Sequence, residues 1–276
     1  MFSIRRYNSE VNTDEFTLLL QRKGEELYRD MPWRDDTRPY YVLVSELMLQ
    51  QTQVLRVVPK FQAFINRFPN ETALVNASLA DVIKLWQGLG YNRRAKFLHQ
   101  SAGMIMNEFG GVFPEDEVDM LSLPGVGKNT AGAIRAYAFN QPSIFVETNI
   151  RTVYIHHFFN DTFEVDDKDI VALLETSLDY SNPRRFYQNL MDYGSWLKAN
   201  GVRNISSSKH YKRQSPLEGS IRQVRGQILR ELASEDLAIE QLMDRTTQDH
   251  RFDVAIKGLM SDGIVGDTDG VFHLTK

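Results

Sequence analysis

Through its first 200 residues the chain spaces apolar side chains three and four apart and almost never alternates them, so it can bury a core only by packing helix on helix. Helical stretches are expected at 14–29, at 42–68 as one or two helices with Pro59 near a helix start, and from a Ser78 cap through Trp86. More follow at 93–109, ended by Gly110-Gly111, and at 118–122, 129–139, 150–158, 167–180 and 184–200. MPWRDDTRPY reads as a Pro-bounded loop and GLGYN as a turn. The periodicity stops at 201–216, GVRNISSSKHYKRQSP, which reads as a Ser-rich basic linker. Beyond it, helices at 221–233, 239–243 and 252–262 and two strands around the Asp-Gly turn of IVGDTDGVFHLTK outline a winged helix. The expected organisation is a mainly α core over 1–200, a linker over 201–216 and a small winged-helix-like α+β domain over 217–276.

Cysteine is absent, which excludes disulfides, thiolate zinc sites and a cysteine-ligated iron–sulfur cluster. The six histidines are scattered without metal-ligand spacing. No apolar run reaches the length of a membrane span, and MFSIRRYNSEVNTDEF is too polar for a signal peptide. A bacterial-type cytoplasm is the expected setting, with a nucleus as its eukaryotic counterpart. The net charge of −4 argues against a nucleic-acid partner, but its distribution matters more. Acids gather past residue 217, whereas none lies between Asp192 and Glu218, where Lys198, Arg203, Lys209, Lys212 and Arg213 fall. Arg93, Arg94 and Lys96 form a second basic cluster. Both stretches suit phosphates, and both suit a solvated surface equally well.

Leu123-Pro-Gly-Val-Gly-Lys-Asn-Thr puts two glycines where the chain turns between helices. Gly125 and Gly127 are expected to take positive φ and to let another surface approach closely. The amides of Gly125, Gly127 and Lys128 would then face outward at a helix N-terminus, an anion site that fits a phosphodiester. An ordinary helix–turn–helix connection would read the same way. Further on, Glu147 follows the apolar Ile144-Phe145-Val146 and precedes Thr148-Asn149. It is either a helix cap or a carboxylate held near a developing positive charge, such as a sugar cation. Glu46 lies in the nearly continuous apolar run VLVSELMLQQ. It is either a paired structural acid or a carboxyl with a raised pKa, suited to general acid work.

With these residues in view, the chain resembles the helix-hairpin-helix DNA glycosylases, and within them the MutY-type adenine glycosylases. LPGVGKNTAGAI resembles the family hairpin, and VETNIRTV stands where the family has its catalytic aspartate. MPWRDDTRPYYVLVSELMLQQTQV is similar to the segment with the catalytic glutamate, and LWQGLGYNRRAKFLHQSA to the one with the intercalating tyrosine. The four segments occur in family order over roughly residues 15–197. The resemblance implies a glycosylase core of two helical lobes acting on double-stranded DNA that holds a mismatch or damaged base, as a monomer. It implies that Glu46 protonates N7 of a flipped adenine, that Glu147 stabilises the sugar cation and that Asn149 orders that carboxylate and the water. Tyr91, beside Asn92, would wedge into the base stack. Gln50, Gln51 and Thr52 would meet the opposite base, Arg34 and Leu49 would line the adenine pocket, and Gly125, Gly127 and Lys128 would hold a phosphate. A monovalent cation at the hairpin backbone is compatible with the same turn. Asn129 stands where lyase-active relatives have a lysine, which implies a monofunctional enzyme, and Lys128 lies about 100° away around the helix.

Three departures stand out. Glu147 is one methylene longer than the family aspartate, and positioning tolerances in such sites are tight. The segment after GSWLKAN lacks the cysteines of the family's iron–sulfur loop, so no cluster is expected. Residues 217–276 are too short for the family's C-terminal domain, which resembles a nucleotide hydrolase. Two rival functions stay open: a mismatch glycosylase for thymine or uracil opposite guanine, and a non-catalytic DNA-binding protein.

Overall fold

The computed structural model describes residues 12–159, 164–211 and 214–276. Contacts divide the chain into two compact units, each assembled from two separate stretches. The first unit joins Met1–Thr37 to Gly127–Arg213, and the second joins Arg38–Val126 to Gln214–Lys276. The described residues are mainly helical, as the spacing of apolar residues predicts.

The first unit holds α1 (Thr13–Glu26), α2 (Pro32–Asp35), α9 (Lys128–Tyr137), α10 (Thr148–Phe158), α11 (Asp167–Ser177), α12 (Pro183–Ala199) and a 3-10 turn (Asn204–Ser207). Its core joins Phe16 and Leu20 of α1 to Tyr154 of α10, Leu174 of α11 and Tyr187 and Leu190 of α12. Side chains of Asn12, Asp166 and Asn182 cap α1, α11 and α12. A Cβ on Gly24 would lie 2.0 Å from the Asn189 amide, so α1 and α12 can close only over glycine. MPWRDDTRPY is not wholly a loop: Pro32 occupies the first turn of α2, where its missing N–H has no partner to lose.

The second unit begins with α3 (Pro39–Leu49), α4 (Val54–Arg67), α5 (Glu71–Val75), α6 (Leu79–Trp86), α7 (Arg93–Asn107) and α8 (Glu117–Ser122). Ser78 caps α6 as expected. Pro59 lies inside α4 rather than near its start. It is exposed, as is Leu55, the residue four earlier whose carbonyl proline leaves without its helical donor. The unit ends with α13 (Ile221–Leu232), β1 (Leu237–Ala238), α14 (Ile239–Arg245), α15 (His250–Ser261), β2 (Val265–Thr268) and β3 (Val271–Leu274).

The strands form an antiparallel sheet in the order β1-β3-β2, with Leu237 opposite Phe272 and Val265 opposite Leu274. Val224, Ile228, Phe252, Leu259 and Phe272 are buried in this small α+β module. Three helices and a hairpin match the winged-helix outline, and β1 adds a third strand too short for a periodic signal. Asp262 ties the module to α7: it accepts from Arg225, pairs with Arg93 at 3.2 Å, and its carbonyl accepts from Lys96 at 2.6 Å.

Candidate active site

Glu147 is set by the elements on either side of it. The chain leaves α9, turns at Asn140 with φ 52°, and runs extended through the buried Phe145 and Val146 into α10. Asn129 of α9 donates Nδ2 to the Val146 carbonyl at 3.0 Å and so fixes the backbone just before the acid. A Cβ on Gly132 would lie 2.9 Å from Ser143 Oγ, so α9 lies against this passage only because glycine stands there. Glu147 occupies the N-cap position of α10, but its side chain makes no capping hydrogen bond. A cap is therefore not what this side chain does.

Burial pushes the Glu147 carboxyl above the usual carboxylate range, and the nearby Arg151 charge opposes that shift. Arg151 is itself committed to Asp167, with Nη2 2.6 Å from Oδ2. In the first turn of α10, Asn149 places Nδ2 3.8 Å from Met191 Sδ. Its buried Oδ1 has no partner among the described residues. A Cβ on Gly194 would fall 2.5 Å from the Asn149 carbonyl, so α12 approaches this turn at glycine.

Arg34 sits in the same unit. Its Nη1 donates to Asp192 Oδ2 at 2.8 Å and to the Arg29 carbonyl at 2.8 Å, and its Nη2 to Asp192 Oδ1 at 3.0 Å. Arg29 Nε donates to the same carboxylate at 2.6 Å. The guanidinium fork is thus engaged within the protein, and its plane lies near the Tyr28 ring, 5.3 Å from the ring centre.

Gly125 takes φ +81°, and a Cβ there would also meet Phe97 at 3.0 Å and Leu47 at 3.3 Å, so both backbone and space require glycine. Gly127 differs from expectation. At φ −94° and ψ 178° it is ordinary extended backbone, the N-cap of α9. Among the described residues nothing beyond its chain neighbours lies within 4 Å of where its Cβ would be, and Gly127, Lys128 and Asn129 are exposed. The first turn of α9 has no side-chain cap and no acid, so the amides of Gly127 and Lys128 are left without a capping side chain.

The remaining expected residues fall in the second unit. Glu46 is half-buried on α3 between the buried Ser45 and Leu47. Leu49 ends that helix, and Gln50 Nε2 donates to the Gly125 carbonyl at 3.4 Å. Gln51 is held at φ 55° and Tyr91 at φ 46°, left-handed conformations uncommon for such side chains. Thr52 Oγ1 donates to the Leu89 carbonyl at 3.2 Å, and Asn92 precedes α7 without a side-chain capping bond.

The basic cluster reads differently in three dimensions. Arg94 is buried, not a phosphate-facing surface charge. Its Nη1 donates to the carbonyls of Leu47, Met48 and Gln50 at 2.6, 2.9 and 2.6 Å. Its Nη2 reaches the carbonyls of Leu89 and Gly90 and Thr52 Oγ1. The guanidinium lies over the rings of Trp86 and Tyr91, and burial lowers its pKa to about 10. The sequence signal that could have found it is a cation in the first turn of a helix, where the dipole disfavours one unless carbonyls receive it. Of the second basic stretch, Lys212 and Arg213 lie outside the described residues.

The position of the family's iron–sulfur loop has no thiolate to ligate a cluster, so these residues do not fit one. The segment is held otherwise. Asn204 Nδ2 donates to the Thr152 carbonyl at 3.0 Å. Val165 bridges to it, donating to the Ser207 carbonyl at 2.8 Å and accepting from Lys209 N at 3.0 Å.

Residues 44–177 match the HhH-GPD superfamily base excision DNA repair protein family. The chain is 37% identical over 187 residues to the adenine DNA glycosylase of Buchnera aphidicola subsp. Baizongia pistaciae, covering 66% of this chain and 52% of that one. It therefore spans about half the length of that relative. It is 34% identical over 275 residues to the adenine DNA glycosylase of Mycobacterium tuberculosis, covering 90% of this chain and 89% of the other. Among solved structures, a thermostable thymine-DNA glycosylase aligns with a TM-score of 0.58 and 26% identity, over 66% of this chain and 86% of that one.

Proposed function

Because the chain belongs to the helix-hairpin-helix base excision repair proteins, and within them to the MutY-type adenine glycosylases, we propose that it removes mispaired adenine from double-stranded DNA by hydrolysing the N-glycosidic bond. The observation that carries this reading is Glu147, an acid at a helix N-cap that makes no capping bond and is partly desolvated. The positive end of α10 favours its ionised form against that burial.

In the proposed reaction Glu46 delivers a proton to N7 of the flipped adenine. The C1′–N9 bond then breaks with its electron pair leaving on the base. The sugar is left cationic, and the Glu147 carboxylate stabilises that charge. Water adds at C1′ and gives up a proton, leaving an abasic site. The buried, unpartnered Asn149 Oδ1 suits an acceptor that orders this water. Asn129 has no amine to form a Schiff base and is engaged with Val146, so the enzyme is proposed to be monofunctional.

The bare amides of Gly127 and Lys128, with the turn at Gly125, would hold a phosphate, and a monovalent cation at the hairpin backbone would fit the same role. Tyr91, beside Asn92 on the DNA-binding side, would enter the stack, Gln50, Gln51 and Thr52 would face the opposite base, and Arg34 and Leu49 would line the base pocket. The proposed setting is a monomer on DNA in a bacterial-type cytoplasm. Among the described residues no helix is long and apolar enough to cross a membrane.

The test incubates A:8-oxoguanine, A:G, G:T and G:U duplexes with the protein in chelator. Strand breaks on the adenine mispairs alone, and only after alkali, are the expected result. Excision of thymine or uracil instead would favour the rival reading, which draws on the likeness to the thymine-DNA glycosylase. Breakage without alkali, or borohydride trapping, would overturn the monofunctional assignment.

A further inference from the structure

A groove of about 990 Å3 runs within the second unit between the loop after α3, the turn before α7 and helix α13. Neither acid nor the phosphate-holding turn lines it, and its α13 wall has no role in the reaction above. Three observations single that wall out.

The first is the pattern of the helix. Arg222, Gly226 and Arg230 recur every fourth residue along the groove, with Gln223 and Gln227 beside them. Val224, Ile228, Leu229 and Leu232 are buried. The groove side of α13 thus contributes guanidinium and amide groups and no carboxylate. The carboxylate that does line the groove, Asp262, is engaged by Arg93 and Arg225.

The second is Gly226. A glycine in a helix interior costs about 1 kcal/mol relative to alanine. Here a Cβ would meet nothing within 4 Å among the described residues. No packed neighbour requires glycine, so the position leaves bare backbone toward the groove, which is what close approach of a second molecule needs.

The third is a direct link to the proposed wedge. Arg222 and Gln214 both donate to the Tyr91 hydroxyl, and the Arg222 guanidinium lies 5.2 Å from the centre of that ring. Gln50, Gln51 and Thr52 line the same groove.

From this we infer that the groove side of α13 reads the DNA strand opposite the excised base. Arg222 and Arg230 take its phosphates, Gln223 and Gln227 meet base edges, and Gly226 admits the sugar–phosphate chain against the helix. Guanidinium forks suit phosphate oxygens, and a glutamine amide presents the donor and acceptor that a base edge requires. The identity of the strand rests on the glycosylase reading, which sets Gln50, Gln51 and Thr52 against the opposite base.

Two variants test this, Gly226→Leu and Arg230→Gln, each compared with the unaltered protein. The probes are a duplex with a non-hydrolysable 2′-fluoro-adenosine opposite 8-oxoguanine and the adenine strand alone. Gly226→Leu removes a helix glycine, so its Tm should be equal or higher, while its Kd for the duplex should rise tenfold or more. Its Kd for the single strand should change less than twofold. Arg230→Gln should lower the salt dependence of duplex binding by about one phosphate contact. Unchanged duplex affinity in both variants, or equal losses on duplex and single strand, would overturn the inference. These binding arms need no excision, so they decide the role of α13 even if the protein removes no adenine and the glycosylase reading fails.

Discussion

The start of α7 and the start of α10 each bring a charged side chain into a partly enclosed helix terminus, and the two are finished in opposite ways. At α7, Arg94 is surrounded by carbonyl oxygens from the end of α3 and the turn before α7, and its donors are taken. At α10, Glu147 sits in the cap position without capping, Asn149 Oδ1 has no partner among the described residues, and Arg151, whose charge acts on Glu147, is committed to Asp167. The difference separates two uses of a buried charge. A charge whose bonds are complete organises backbone, and it holds the loops in which Gln51 and Tyr91 take left-handed conformations. A charge left with open valence is available to something that arrives later.

Breaking the saturated side should have the largest effect. Arg94→Met strips donors from several buried carbonyls, each worth about 1–3 kcal/mol when orphaned, and should destabilise by at least about 4 kcal/mol. Arg94→Lys should recover only a part of that, because one ammonium cannot span the two loops. Urea unfolding checks both, and a loss under about 1 kcal/mol for Arg94→Met would remove the contrast.

Glu147→Gln comes next. Single-turnover excision of adenine opposite 8-oxoguanine should fall about a hundredfold or more, roughly 3 kcal/mol in the barrier. Its stability at neutral pH should rise, because the ionised carboxylate is held where burial disfavours it. The shift in Tm would be about 2–4 °C per kcal/mol relieved. A variant that loses stability as Arg94→Met does would place Glu147 among the structural charges. Asn149→Leu should cost less, about tenfold in the same rate, with little change in Tm, since it removes an unpartnered buried oxygen along with the amide.

The smallest effect is one of pH. The raised folded-state pKa of Glu147 means that the folded protein holds this proton more tightly than the unfolded chain does. The stability it contributes is complete below the unfolded carboxyl pKa and is lost as pH rises through the folded value. The Tm advantage of Glu147→Gln should therefore grow with pH across that window. The acid limb of the excision rate should lie above the ordinary glutamate range, since the carboxylate must be ionised to stabilise a cation. An acid limb at or below that range would assign it to another group.

Much of this contrast is hidden from the sequence for physical reasons. Helices of ten or more residues are legible because their apolar spacing is a local consequence of packing, and Ser78 is legible because a cap acts within one turn. Glu147 and Asn129 are legible as motif positions. That Glu147 does not cap, and that Arg94 is enclosed by Leu47, Met48 and Leu89, depends on residues far away in the chain. α5 and β1 are five and two residues long, shorter than the windows in which periodicity shows. Gly127 misled because one motif can require glycine for its φ at one position and for open space at the next.

The two units are interleaved along the chain, and this bears on how the protein is made. The unit that opens at Arg38 is closed by residues from Gln214 onward, and all of Gly127–Arg213 is synthesised in between. During translation the first unit can complete itself while α3 to α8 wait without the segment that carries α13, with Arg225 and Asp262 not yet emerged from the ribosome. The waiting stretch exposes apolar helix faces for the time needed to add roughly a hundred residues, some 5–20 s at about 5–20 residues per second, and would be a client for chaperones during that interval.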